Sequence, residues 1–363
     1  MKINIPKTNL VSGLKKVSSV IGSKSTVPVI SNVLVVAKDN KLTLHTTDLE
    51  LSVKTEIEAE IIEEGTTTIP CKKLNEIVNK LPDGNINIDT DENFQSKITA
   101  GKSFFRIVGM SPKEFPIDTQ PESPRTFTLE KATLVKNLKK IAYAASTDDS
   151  RYVLNGILFS IREGALTTVA TDGRRLALVE KVVAGEGDID GDAVLPMKAI
   201  QEIIKSVDGE GNLSVNFSEN KASFVTESTV VISKLVDGNY PNFRHVIPSA
   251  FNYSATVPRS ELISALERVS LVVSESNLSI AVDLTAVEAT ITSSSSEIGS
   301  AEEKLTIDYN GSPLKVTFNP KFLADPLKNL ECDNIIIQIN DESSPVAVCG
   351  DEGFLYIIMP MRS

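Results

Sequence analysis

The chain has no tryptophan, only two histidines, only three cysteines, and 5% aromatic residues among 363. With so few rings, base stacking along a single-strand groove is poorly served. The cysteines (Cys71, Cys332, Cys349) are odd in number, widely spaced and without a CxxC pair. They imply neither a disulfide framework nor a zinc site, and they fit a reducing cytoplasm. No apolar run reaches 18 residues, so no transmembrane helix is expected. The opening MKINIPKTNL lacks the basic flank and apolar core of a signal peptide. The net charge of −11 argues, as a bare total, against nucleic acid. What is present is ordinary for a globular chain: 41% hydrophobic, 23% charged, and a length that suggests two to three domains.

The chain repeats itself three times, with a period near 120 residues. Leu10, Leu14, Val17 and Ile21 recur 124 positions on as Leu134, Leu138, Ile141 and Ala145, and 252 positions on as Leu262, Leu266, Val269 and Val273. The spacing is one stripe of an α-helix, so each repeat opens with an amphipathic helix. VISNVLVVA (29–37) aligns with VLNGILFSI (153–161), and LTLHTTD (42–48) with LTTVATD (166–172), again at 124. These read as strands, rich in β-branched residues and bounded by Asp, Asn or Gly. In the first and third repeats Pro6 and Pro258 sit near the start of the opening helix, where a missing N–H costs little, and a second helix follows, opened by Pro70, Pro196 and Pro320. The expected helices span 6–21, 70–81, 129–145, 196–207, 258–273 and 319–330. Alternating strands such as SFFRIVGM and STVVISKL complete the repeats. The fold class is therefore α+β in three tandem repeats, with boundaries at QPESPRT (120–126) and IPSAFNYSAT (247–256).

The charge is segregated. The six expected helices together carry +10, which leaves −21 on strands and loops. A charged helix face is commonly just solvated. Six helices sharing one bias instead describe a basic layer that attracts a phosphate backbone without reading sequence, backed by an acidic sheet that repels it elsewhere.

Catalytic chemistry is hard to place. No phosphate loop, GxGxxG, HExxH or GxSxG occurs. His45 stands where the second repeat has Val169, which favours packing in the sheet. Asp48 and Asp172 are equivalent by repeat and each ends a strand after Thr, which favours turn capping over catalysis.

Four stretches carry a resemblance. LNGILF (154–159), VATDGRRLA (169–177), KLVDGNYPNF (234–243) and IIMPMR (357–362) closely resemble the bacterial DNA sliding clamp family, the β subunit of DNA polymerase III, and the likeness runs through the whole chain. It implies clamp domains at 1–121, 126–247 and 250–363. It further implies a head-to-tail homodimeric ring with helices lining the hole and sheets outside, closed around duplex DNA without sequence specificity. Retention would be topological, with no cofactor, no metal and no catalysis. Such a clamp tethers the polymerase III catalytic subunit, and its pocket receives short linear motifs from polymerases, the clamp loader and repair proteins.

Carried over by motif, the pocket comprises Leu154, Thr171, Gly173, Arg174, Arg175, Leu176, Pro241, His245, Val246, Asn319, Phe322, Pro345, Ile358, Met359, Pro360, Met361 and Arg362. Its Leu, Val and Met side chains offer adaptable apolar seats for a peptide's anchors, while Arg and His on the rim meet carbonyls or acidic groups. Ring closure is assigned to Phe105 and Ile107 against Val272 and Val273, flanked by Lys73 and Lys102 facing Glu297, Glu302 and Glu303. DNA contact is assigned to Lys24, Arg151, Tyr152 and Lys198. The sequence departs from the family in three places. Arg174 stands where His is frequent, His245 where Arg is frequent, and Ser363 where a terminal Leu is common. The third repeat also lacks a Thr-Asp match to Asp48 and Asp172. Two rivals, an enzyme of nucleic-acid metabolism on a tandem scaffold and an adaptor that never meets DNA, lack the motifs of the first and disregard the basic helices in the second.

Overall fold

Prolines mark the transitions from strand to helix. Pro6, Pro70, Pro196 and Pro258 each close a strand and immediately precede a helix, and Pro320 is the first residue of another. The ring fixes φ near helical values at a point where the helix needs no N–H. The helices are α1 (Lys7–Val17), α2 (Cys71–Lys80), α3 (Lys131–Ile141), α4 (Met197–Ser206), α5 (Arg259–Val269) and α6 (Pro320–Asn329). The computed structural model describes residues 1–22, 27–121, 125–185, 189–274 and 278–361. The first helix of each repeat is shorter than its apolar stripe. α1 ends at Val17, while α3 and α5 give way to single 3₁₀ turns at Ala142–Ala144 and Ser270–Val272. Ile21 and Ala145 are buried all the same, so the stripe records burial that outlasts the helical backbone.

Four antiparallel sheets are built from 27 strands among the described residues. They divide between two compact units. The first comprises Met1–Val135, Ala184–Ile189 and Lys198–Leu235. It holds a five-stranded sheet, ordered 60–63, 2–6, 85–90, 95–100, 103–108, and a nine-stranded sheet, ordered 184–185, 125–130, 212–217, 221–225, 229–234, 51–58, 41–47, 32–38, 65–70. The second unit comprises Lys136–Val183, Asp190–Met197 and Val236–Ser363. Its nine-stranded sheet is ordered 191–196, 156–162, 165–171, 175–182, 354–358, 346–349, 334–339, 253–258, 308–309, and its four-stranded sheet 299–306, 288–295, 280–284, 314–318.

The compact units therefore do not follow the sequence repeats. The reason is two strand pairings that join one repeat to the next. In the first unit Val231 pairs with Val53 and Thr229 with Thr55, whose hydroxyls lie 3.0 Å apart. In the second unit Arg175 pairs with Ile358 and Ala177 with Tyr356. Each seam is a ladder inside a sheet, so the second repeat is shared between units.

The helices lie on the sheets through their apolar stripes. In the first unit Leu10, Leu14 and Val17 of α1 are buried against the sheet that carries Leu44 and Val53. Gly13 makes that approach possible, because a Cβ there would come within 2.9 Å of Ile57 Cδ1 and 3.0 Å of Leu44 Cδ1. In the second unit Leu262, Ala265, Leu266 and Val269 of α5 do the same against the strands that carry Ile291 and Leu305.

The two turn aspartates cap their turns as expected. Asp48 Oδ1 accepts from the N–H of Glu50 (3.0 Å) and Leu51 (2.7 Å), and Asp172 Oδ1 from Arg174 (2.9 Å) and Arg175 (3.1 Å). His45 is a packed sheet residue, hydrogen-bonded to Ser52 Oγ at 2.6 Å with its ring edge-on to Phe115 at 5.3 Å. Burial drives its pKa down to about 4, the Asp118 carboxylate opposes this, and Lys54 reinforces it. The unfolded chain thus binds a proton near pH 6.5 that the folded chain refuses until about pH 4. The stability this confers is complete above pH 6.5 and is lost as the pH falls toward 4, by up to roughly 3 kcal/mol. His45→Gln, which does not titrate, should lose less stability than the parent between pH 7 and 4. Urea denaturation at a series of pH values measures the difference, and parallel profiles would show that His45 is not the group responsible.

Candidate functional site

The proposed peptide-pocket residues that the structure describes all belong to the second unit, and several of them meet there. The strand Arg175–Val182 pairs with Phe354–Ile358, which in turn pairs with Val346–Cys349, so Leu176, Ile358 and Pro345 are neighbours through the ladder. Leu176 joins Val169, Leu178, Phe243, Ala347 and Ile357 in one buried cluster. Phe243 anchors the short 3₁₀ turn Phe243–Val246, leaving Pro241, His245 and Val246 exposed beside it. His245 Nε2 sits 3.1 Å from Asn242 Nδ2. Leu154 ends the 3₁₀ turn Asp149–Leu154 and accepts at its carbonyl from Ser146 N–H. The tail is bonded on both sides of Pro360. Met359 N–H donates to Arg174 O at 3.0 Å and Met361 N–H to Thr317 O at 2.8 Å, while both methionine side chains remain exposed. Arg362 lies outside the described residues.

Arg175 is not a rim group. It is buried, and its guanidinium is used up internally. Nε donates to Asp172 Oδ2 (3.1 Å), Nη1 to Asp325 Oδ2 (2.5 Å) and Nη2 to Tyr143 O (2.6 Å), with the plane over the Phe322 ring at 4.3 Å. Burial alone would lower its pKa, but the Asp325 bond and the neighbouring charges raise it. Phe322 is held in turn from α6, where Asn319 Oδ1 caps Lys321 N–H and Phe322 N–H and Tyr356 OH donates to Phe322 O at 2.7 Å. Gly173 adopts φ +83°, which lets the Asp172 turn close, and Thr171 Oγ1 donates to Arg175 O and accepts from Gly173 N–H. Beside this hub lies a polar cavity of about 540 Å³ that brings Arg151 together with Arg174, Arg175 and Phe322, and adds Lys321, Tyr143 and Asp325. The last three were missed from sequence, although Lys321 and Asp325 flank Phe322 on one helix at i, i+4 spacing.

The residues assigned to DNA are differently placed. Arg151 donates to Asp172 O at 3.0 Å, and Tyr152 is exposed. Lys198 bonds the Asp48 carboxylate and donates to Val20 O at 3.2 Å, so its charge is answered within the chain. Burial pushes the Asp48 carboxyl up, but the bond from Lys198 and the N–H groups of Leu51 and Glu50 outweigh it and hold it below the usual range. Lys24 lies outside the described residues. Much of the helical positive charge is likewise paired: Lys7 with Asp83, Lys16 with Asp208, Lys131 with Glu227, Lys136 with Glu331, Lys140 with Asp351, Lys328 with Glu267. Lys15, Lys72, Lys80, Lys139 and Lys321 are exposed and form no ion pair among the described residues.

Of the ring-closure residues, Phe105, Ile107, Glu302 and Glu303 lie on the edge strands of two sheets, and the others lie in a helix, in or beside a 3₁₀ turn, or in turns. In the first unit Phe105 and Ile107 lie on the edge strand 103–108, with Lys102 in the turn before it, and Lys73 is on α2, bonded to Glu76 at 2.7 Å. Phe104 (57% exposed) and Val108 (65%) on the same strand are more exposed than the residues chosen from sequence. In the second unit Glu302 and Glu303 lie on the edge strand 299–306 and Glu297 in the turn before it. Glu303 takes a two-point bond from Arg268 at 2.8 and 2.7 Å. Val272 and Val273 are half-buried, whereas Leu271 beside them is 78% exposed.

Comparison with known proteins bears on the whole chain. Residues 1–119, 128–242 and 244–362 match, in order, the N-terminal, central and C-terminal domains of the DNA polymerase III beta subunit. The beta sliding clamp of Chlamydia pneumoniae is 31% identical over 362 residues, covering 100% of this chain and 99% of its own, and that of Vibrio cholerae 28% over 366 residues, covering 100% of both. Among solved structures, the Bacillus subtilis DNA polymerase sliding clamp superposes with TM-score 0.94 at 26% identity, covering 100% of this chain and 99% of that one. The Pseudomonas aeruginosa sliding clamp bound to griselimycin gives TM-score 0.95 at 29% identity, covering 100% of each. The chain belongs to the DNA polymerase III beta subunit family, the bacterial sliding clamps. Its role is that of the family, a non-catalytic processivity factor in DNA replication.

Removing the Arg175 guanidinium leaves two carboxylates and a carbonyl without their donor. Arg175→Ala should cost about 3 kcal/mol, and Arg175→Lys should recover little of it, because an ammonium cannot serve three divergent acceptors while stacking on Phe322. Urea denaturation of both variants checks this; full recovery by lysine would reduce the hub to a simple point charge.

Proposed function

We propose that two copies of this chain close head to tail into a ring around duplex DNA, each chain contributing three clamp domains at 1–121, 126–247 and 250–363. The observation that carries this reading is the pair of open edges. An exposed strand edge carrying apolar side chains invites pairing with another strand. Such an edge, with Phe104, Phe105 and Val108 exposed, ends the five-stranded sheet of the first unit, and an acidic edge strand ends the four-stranded sheet of the second. The acidic strand 299–306 and the basic flank of Lys102 complement each other in sign. Phe105, Ile107, Val272 and Val273 form the apolar centre, joined by Phe104 and Leu271, while Lys73, Lys102, Glu297, Glu302 and Glu303 set register.

DNA is held without sequence reading, by encirclement and by weak phosphate contacts. Lys24, Arg151, Tyr152 and Lys198 are the contacts that the resemblance implies. The unpaired Lys15, Lys72, Lys80, Lys139 and Lys321 are the further cations with charge to spare. The ring tethers the polymerase III catalytic subunit, and the clamp loader, other polymerases and repair proteins dock through short linear motifs. Their seat is the neighbourhood of Leu154, Thr171, Leu176, Val246, Met359 and Met361, with Arg174 and His245 as rim groups. The setting is the cytoplasm.

The ring is tested by topology. Loaded on nicked circular DNA, the protein should stay bound through gel filtration and should be lost when the circle is cut. Val272→Asp with Val273→Asp should yield a folded monomer by sedimentation, and retention should vanish with it. A dimer of unchanged mass, or equal retention on linear DNA, refutes the assignment.

The pocket is tested with griselimycin, the ligand in the Pseudomonas aeruginosa and Bartonella birtlesii clamp structures. Deleting 359–363 should weaken its binding by more than tenfold, about 1.4 kcal/mol or more, while leaving the dimer intact. Unchanged affinity in the truncated dimer would place the pocket elsewhere.

A further inference from the structure

The first unit carries a cavity that the second unit fills with its own chain. The two nine-stranded sheets present corresponding faces, related by the 124-residue offset: His45 stands for Val169, Ser52 for Leu176 and Lys54 for Leu178. The seam strands agree, since Ile232 pairs with Ser52 as Ile357 pairs with Leu176, and Val230 pairs with Lys54 as Leu355 pairs with Leu178. In the second unit this face is roofed by the connector after the strand Thr229–Lys234. Phe243 is buried in the cluster, with Val236, Tyr240, Ile247 and Phe251 packed against it, and Tyr240 OH reaches Val169 O at 3.4 Å. In the first unit the corresponding connector, 109–124, has Phe115 as its sole aromatic residue. Phe115 packs on Val29, Ile30 and Leu34 and stands edge-on to His45, so it covers one end of the face. The rest opens as a cavity of about 360 Å³ lined chiefly by apolar atoms, with Val36, His45, Ile117, Val230 and Ile232 around it and Lys54 at its side.

We propose that this cavity is a second docking site, which takes an aromatic side chain, next to a carboxylate, from a peptide segment of a partner protein. The ring is argued from the chain's own precedent, because an aromatic-bearing segment covers the matching face of the second unit. The carboxylate is argued from charge. Lys54 replaces a leucine, is about half exposed, and shares a single carboxylate, Glu56, with Lys41 (3.7 and 3.2 Å), so the two lysines together keep one positive charge that Glu56 does not answer. Asp118, the acidic group on the wall, is occupied by Lys221 at 3.2 Å and Thr47 at 3.4 Å. His45 and Ser52 satisfy each other and leave the floor neutral. A volume of this size suits one or two side chains rather than a folded surface. The site is separate from the pocket around Met359 and does not depend on it.

N-acetyl-L-tyrosine is the probe, since it joins one aromatic ring to one carboxylate. With two histidines in the chain, the imidazole proton signals report locally, and His45→Gln identifies which is which. Titration into the full chain should shift the His45 signal saturably, with a Kd on the order of a millimolar, and leave the His245 signal in place. N-acetyl-L-tyrosinamide, without the carboxylate, should bind at least threefold more weakly, and Lys54→Gln should abolish that difference. Val230→Phe, which fills the cavity, should abolish the His45 shift. Absence of a shift at ten times that concentration overturns the proposal. So does movement of His245 instead, equal binding of acid and amide by the parent chain, or a shift that persists in Val230→Phe. Because Lys54 is a surface residue, the Lys54→Gln comparison stands even if the filled variant folds poorly. Griselimycin binding and retention on circular DNA are read separately, so failure here leaves the clamp reading intact.

Discussion

The structure depends on backbone hydrogen bonding between repeats. Where the strand Thr229–Lys234 meets Leu51–Glu58, and where Phe354–Ile358 meets Arg175–Val182, the ladders do not stop at a repeat boundary. A boundary made of side chains alone could slide or hinge. One made of paired N–H and C=O groups is fixed in register, because a one-residue slip would turn every buried side chain outward. The consequence for function is local precision. Arg175 lies on such a seam, opposite Ile358, and the groups it binds come from the turn at Asp172, from Tyr143 and from α6. The carbonyl of Arg174 holds Met359, so the same seam that unites two repeats also positions the tail.

Electrostatics works differently from what the charge tally suggests. The helices are basic, but their cations are largely answered by carboxylates from loops and other helices. Exposed pairs of this sort contribute little to stability, yet they decide which lysines have charge to spare for a phosphate. The partly buried pair of Lys140 and Asp351 is of another kind. There burial pushes the carboxyl up, and the Lys140 bond with the N–H groups of Cys332 and Glu331 brings it below its usual range.

Much of the fold was legible in the sequence because it rests on local pattern. The apolar stripe at Leu10, Leu14 and Val17 and its two copies locate three helices, and the prolines locate the start of the others. The helix ends were not legible, since Ile21 and Ala145 are buried without being helical. The seams were not legible either. Nothing near Thr55 in sequence signals that Thr229, 174 positions away, is its partner. The same distance hid the state of Arg175. Its motif marks it as important, but whether it lines a rim or is sealed inside depends on Asp325, which is contributed by another repeat. The exposed Phe104 and Leu271 were passed over for neighbours because alternation along an edge strand or a 3₁₀ turn does not say which face is covered.

The place of the strand Phe354–Ile358 has a consequence for synthesis. It lies inside its sheet, between Arg175–Val182 and Val346–Cys349, although it is made more than 170 residues after the strand Arg175–Val182 begins. The first unit's large sheet has all its strands once residue 234 has left the ribosome. The second cannot close until residue 358 has emerged, and until then the strand Arg175–Val182 presents an unpaired edge rich in leucine, alanine and valine. Translation thus imposes an order on the two units, and the stretch between residues 235 and 358 is the interval in which the nascent chain most needs shielding from its neighbours.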